Sequence, residues 1–320
     1  MRLFERIGIG LPLFAAAIAS YVLFPDYLAL IANIFILAIF ALSYDLLQGH
    51  AGVVSLGHAA FLGIGAYTSA ILAAHGITEP VLGLLAALCM SGIVALCLTR
   101  IVVVGNDLTR LLVTLGVGFL FYEAANKARW LTGGADGMPD FEVGPVLGQF
   151  HFDFVGRTAF FYTLIVLAIV YLFLRRVTTS PFGLALRGIR ENVKRMDAIG
   201  APVARHLATT YTMSGAIAGI AGALLAQTNR FASLDMLGFE RSAEVMMMAT
   251  LGGSGSLSGV VLGAATFGYL KDALSALSPK YWHLGLGIVL MLSVFVLRNG
   301  IAGGLATGFA ALKRSLGGKQ

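Results

Sequence analysis

The sequence predicts an all-α protein, a polytopic bundle of about ten membrane segments, on three observations. Of its 320 residues, 58% are hydrophobic and 12% charged, about half the roughly 25% charge of a soluble globular domain. Apolar blocks recur at lengths near the ~20 residues that a helix needs to cross a bilayer. These blocks outrun the ten-residue alternating strands of a membrane barrel, and lipid offers no third way to satisfy the backbone. Finally, Lys and Arg fall unevenly among the loops, as they do in helical membrane proteins.

The expected crossings are 8–24, 28–47, 57–74, 81–98, 111–126, 158–174, 207–226, 242–252, 257–270 and 283–297. The eighth and ninth are short and suggest half-helices or a re-entrant pair. With the N-terminus inside, fifteen Lys and Arg fall on the inner side and seven on the outer. Seven of the fifteen lie in one loop (Arg175, Arg176, Arg187, Arg190, Lys194, Arg195, Arg205). The positive-inside rule then makes both termini cytoplasmic. The net charge of +6 reflects orientation and contact with anionic lipid, not nucleic acid. Residues 1–20 imitate a secretory signal, but the apolar run continues to Phe24, so an uncleaved first helix is expected. Cys89 and Cys97 lie eight apart in one expected helix. That is too far for a disulfide, and both read as small packing residues.

The whole chain, 1–320, reads as one transmembrane domain. It has an external Gly/Pro-rich loop at about 127–157 and a basic internal loop at about 175–206.

Three segments carry the informative chemistry. In Gly49–Thr68, GHAGVVSLGHAAFLGIGAYT, small residues at Gly57, Ala60 and Gly63, and at Gly65 and Ser69, have the spacing that lets helix backbones approach closely. Helix packing is one reading of this stretch. The other places His50, Ser55 and His58 where the helix breaks, beside a translocation path.

In Ser180–Ala226, Ser180-Pro181 is a helix start. A short amphipathic helix follows, with Leu184, Leu186, Ile189 and Val193 apolar and Arg187, Arg190, Glu191 and Lys194 charged. Gly200-Ala201-Pro202 breaks it. Such a surface helix suits a groove on a soluble partner, or else lies on lipid headgroups. Ser214, Gly215, Ala218, Gly219 and Gly222 form the small face of the membrane helix that follows from Ala208.

The third segment, Ala243–Ala265, holds Gly252, Gly253 and Gly255 in a Gly/Ser hinge between two apolar stretches. It lacks the Lys-Ser/Thr ending of a nucleotide P-loop, so no ATPase is expected in this chain. Met246–Met248 reads as soft core packing. The hinge and residues 55–67 share a Gly-rich character, the kind of correspondence that marks internal repeats in transporters.

Together these segments, with LTGGADGMPD (131–140), FGLALRGIRENVKRMDAIGAPVARHL (182–207) and LGGSGSLSGVVLGA (251–264), resemble the inner-membrane permease subunits of branched-chain amino acid ABC importers, M-type. The resemblance covers most of Gly49–Gly303. It implies a homologous H-type permease partner, two cytoplasmic ATPases, a periplasmic substrate-binding protein, and no cofactor, metal or catalytic residue. On it, Arg187, Arg190, Glu191, Ala198 and Gly200 belong to the ATPase-docking loop. His50, Ser55, Gly57, His58, Gly63, Gly65, Gly252, Gly253 and Gly255 belong to the translocation path or to helix packing. The external loop would face the binding protein; Met138-Pro139-Asp140 departs from the small apolar residue expected there. The alternative is an ion-coupled secondary transporter, with Asp45, His58, Glu123 and Glu244 as its coupling groups. An intramembrane enzyme fares worst, since no metal-ligand cluster or nucleophile motif stands out.

Overall fold

The computed structural model describes residues 10–102, 105–139, 141–153, 155–277, 280–282, 284–288, 291, 300, 301 and 303. Most of the expected tenth crossing, the basic residues near both termini, Arg298 and Asp140 lie outside the described residues.

Twelve α-helices are described. They are α1 Gly10–Leu23, α2 Leu28–Asp45, α3 Ala59–Ala74, α4 Pro80–Val102, α5 Asp107–Lys127, α6 Arg129–Thr132, α7 Arg157–Thr179, α8 Pro181–Glu191, α9 Val193–Ala198, α10 Val203–Asn229, α11 Phe239–Gly252 and α12 Leu257–Leu277. Six stretches among the described residues are long and apolar enough to cross a membrane: Pro25–His50, Pro80–Val102, Asp107–Lys127, Arg157–Thr179, Val203–Asn229 and Leu257–Leu277. Helix α3 is a shorter apolar helix of 16 residues. The protein is thus an all-α multi-pass membrane bundle. Among the described residues, one small sheet pairs β1 (Met138–Pro139) antiparallel with β2 (Phe231–Ala232).

Local chemistry sets the boundaries. Pro80 opens α4, where its missing N–H costs nothing. Asn106 caps α5 by accepting from Thr109 N at 2.9 Å, and Ser180 caps α8 through Gly183 N with Pro181 behind it. The ninth expected segment, read as short, is a complete 21-residue helix. It continues through Lys271 because the ammonium meets the Glu244 carboxylate at 2.6 Å, so charge does not end the span. Of the eighth and ninth expected segments, it is the eighth, α11 at 14 residues, that is short.

Helix α10 is the centre of the bundle, and every residue from Ile217 to Leu224 is buried. It packs between α3 and α4 because glycine removes the side chains that would hold the backbones apart. A Cβ at Gly65 would strike the Gly219 backbone, and one at Gly222 would strike the Leu62 carbonyl. The whole small face read from the sequence, Ser214, Gly215, Ala218, Gly219 and Gly222, is buried here. Helix α2 packs against α12, α7 and α10, and α11 folds back on α12. Helix α5 is peripheral, with Thr114 its one buried residue.

Two readings need correction. Cys89 and Cys97 are exposed on α4, on the side turned away from α10, and so do not pack in the core. The buried stripe of α8 is Gly183, Leu186 and Ile189, whereas Leu184 is 60% and Val193 42% exposed. The amphipathic helix ends at Glu191, where Asn192 is extended and starts α9 by accepting from Arg195 N at 2.9 Å. That break turns Val193 out of register with the α8 stripe.

Candidate functional site

The three glycine-rich segments meet at one place. Helix α2 does not end cleanly at Asp45 but widens into a π-turn, Leu46–His50, a distortion that often marks functional sites. The chain then runs without regular structure to α3. This break is held from three sides. Thr114 of α5 accepts from Leu56 N at 3.1 Å. Ser242 of α11 accepts from Ala59 N at 2.9 Å. On the third side, the Arg190 guanidinium of α8 donates to the Gly49 carbonyl, and its aliphatic stem lies against Gly52.

The second break, Gly253–Ser256 between α11 and α12, comes to the same point. The Gly255 N–H donates to Asp45 Oδ1 at 2.7 Å. Gly255 has φ +88°, a conformation that glycine adopts without steric penalty and that aims its amide at α2. Asp45 is wholly buried. Its other oxygen, Oδ2, is 3.5 Å from His50 Nδ1, which also lies 3.3 Å from the Asp45 carbonyl. Gly49 closes the junction: a Cβ there would overlap the Asp45 carboxylate and the Gly255 amide.

His58 sits apart from this junction, in the core between α2 and α3. Ser43 Oγ donates to Phe40 O at 2.6 Å, so it accepts from His58 Nε2–H at 2.9 Å. The ring stacks on Phe40 at 5.5 Å and is edge-on to Tyr44 and Phe61. Ser214 Oγ, from α10, donates to Ser43 O at 2.6 Å. His58 therefore ties α2 to the start of α3, as a hydrogen-bonded structural group does.

The remaining candidates divide cleanly. Gly57 meets the Thr114 carbonyl, Gly63 meets Leu237, Gly65 meets Gly219, and Gly252 meets Gly259 at the α11–α12 crossing. These four permit close packing. Ser55 is buried beside the break and Gly253 caps α11. Among the docking candidates, Arg190 faces its own chain, and Arg187 Nη2 donates to the Thr178 carbonyl at 3.3 Å. Glu191, Ala198 and Gly200 are exposed. With Leu184, Val193 and Ile199 they form an outward surface that mixes apolar and charged groups. Gly200, at φ +82°, ends the α8–α9 hairpin.

The four ionisable coupling candidates do not converge. Asp45 bonds Gly255 at one end of the α11–α12 pair. Glu244 binds Lys271 at 2.6 Å and Arg241 at 3.1 Å toward the other. Glu123 is exposed on α5, and His58 bonds Ser43 in the core between α2 and α3. Sequence reasoning named Arg190 and Gly255 but missed Gly49 and Gly52 as contact points. The signal lay in their spacing: two glycines directly after a membrane helix that ends in an acid.

Residues 27–295 match the family described as branched-chain amino acid transport system / permease component. The chain belongs to that family. The matched region of the permease component family takes in every candidate site residue, from Asp45 to Gly255. Among curated relatives, the high-affinity branched-chain amino acid transport system permease protein LivM of Escherichia coli (strain K12) is 30% identical over 254 residues, 71% of this chain and 58% of the relative. LivM of Salmonella typhimurium is 28% identical over 281 residues, 79% of this chain and 64% of the relative. The permease protein LivH of E. coli K12 is 32% identical over 126 residues, 39% of this chain and 40% of the relative. The chain thus spans less than two thirds of the length of the LivM relatives it matches. No solved structure matches it.

Proposed function

We propose that this chain is the transmembrane permease subunit of an ATP-driven importer for branched-chain amino acids or a related small polar substrate. The whole chain is one membrane domain of about ten segments, in a bacterial inner membrane, with both ends cytoplasmic. It works beside a homologous H-type permease, two cytoplasmic ATPases and a periplasmic binding protein, and hydrolyses no ATP itself. One observation supports this reading above the others. The α8–α9 hairpin, exposed on its outer surface, is fastened through Arg190 to the break after α2. A partner that moves the hairpin therefore acts directly on the break after α2, and such a displacement can feed the rigid-body movements by which access alternates. The secondary-transporter reading is weaker, because its four ionisable groups do not form one ion site.

The test is uptake in cells carrying Glu191→Lys or Gly200→Val. Both should abolish ATP-dependent uptake while the protein still inserts and co-purifies with its membrane partner. Normal uptake by both variants overturns the docking assignment.

A further inference from the structure

We propose that Asp45 is the positioning residue that transmits movement of the α8–α9 hairpin to the α11–α12 pair. This rests on the permease reading above and deepens it. The structure supplies an unbroken chain of contacts. Arg190 of α8 donates to the Gly49 carbonyl, within the π-turn. Gly49 is packed directly on the Asp45 carboxylate and on the Gly255 amide. Asp45 Oδ1 accepts from Gly255 N at 2.7 Å. Gly255 lies in the link between α11 and α12, which are packed closely on one another. Their inner crossing is glycine on backbone at Gly252 and Gly263, and their other end is clasped by Glu244 and Lys271 at 2.6 Å.

Two features make Asp45 more than a packing group. A buried carboxylate in a membrane protein carries a desolvation penalty, while an apolar residue would fill the same space without it. Its one good hydrogen bond also joins segments 210 residues apart and goes to a loop amide, not to a helix. A single such bond between two broken segments can be made in one state and released in another, the two-state element that coupling requires.

The experiment uses the reconstituted complex of this permease with its partner permease, ATPases and binding protein in proteoliposomes. It measures ATP hydrolysed per substrate molecule imported. Asp45→Ala should assemble and hydrolyse ATP, with that ratio raised about tenfold or more. Asp45→Asn keeps an acceptor for Gly255 N–H and should stay close to the unaltered ratio. Asp45→Glu, whose extra methylene displaces the acceptor, should raise it. An unchanged ratio in Asp45→Ala overturns the proposal and leaves the permease reading standing. If Asp45→Ala fails to assemble, the other two variants decide: a coupled Glu with an uncoupled Asn overturns it, because the charge and not the hydrogen bond would then matter. Absence of ATP-driven uptake by the unaltered complex overturns the permease reading and this proposal together.

Discussion

The two ends of the bundle are fastened in different ways. At the end where α2 breaks, single contacts join segments far apart in sequence: Arg190 to Gly49, Gly255 to Asp45, Leu56 to Thr114. At the opposite end the fastenings are redundant. Gln227 of α10 donates to Ser69 Oγ and Pro80 O, both at 2.9 Å, and accepts from Tyr162 at 3.2 Å. Arg241 bridges Asp235 and Glu244, which also holds Lys271. Strand β1 pairs with β2, and the loop after it bonds Thr78 and Glu79. Loss of one contact leaves the second end tied by the others. At the first end a single hydrogen bond carries each of these connections. The difference teaches that connectivity, and not helix content, separates an end held by redundant fastenings from one held by single hydrogen bonds.

The sharpest way to break this comparison is Gly49→Ala. The added methyl overlaps the Asp45 carboxylate and the Gly255 amide. Overpacking of this kind costs about 1–3 kcal/mol, and here it falls on one bond between two segments. Uptake per folded protein should drop about tenfold, at 1.4 kcal/mol per decade, alongside a lower thermal stability of the detergent-solubilised protein. At the redundant end stability should suffer without loss of transport. Gln227→Ala leaves buried partners unpaired and should lower stability by about 1–3 kcal/mol, read by thermal unfolding in detergent, while ATP-driven uptake per folded protein stays within twofold of normal. If Gln227→Ala uncouples transport and Gly49→Ala does not, the roles assigned to the two ends are reversed.

Much of the fold was legible in the sequence, because helices in lipid leave long apolar runs. The cores of α2, α4, α5, α7 and α10 fall where those runs lie. Membrane-helix ends were less legible. Helix α12 runs past Lys271 because its counter-ion, Glu244, comes from α11, a tertiary fact that hydropathy does not carry. The face of α8 was misread for a related reason. Leu184 and Val193 are as apolar as Leu186, and only the turn at Asn192 and the contact with α7 decide which of them is buried. Of the site, the glycine-rich segments were visible as motifs, but their convergence was not. Asp45 and Gly255 are joined by one hydrogen bond across most of the chain, and no periodicity encodes that pairing.

The account rests on the α8–α9 hairpin lying where cytoplasmic ATPases can reach it. Ile199, directly after α9, is 71% exposed. With the exposed Cys89 and Cys97 replaced by alanine, Ile199→Cys reports the side directly through a membrane-impermeant thiol reagent. The prediction is labelling in inside-out vesicles and none in intact cells. Labelling of intact cells would contradict the account.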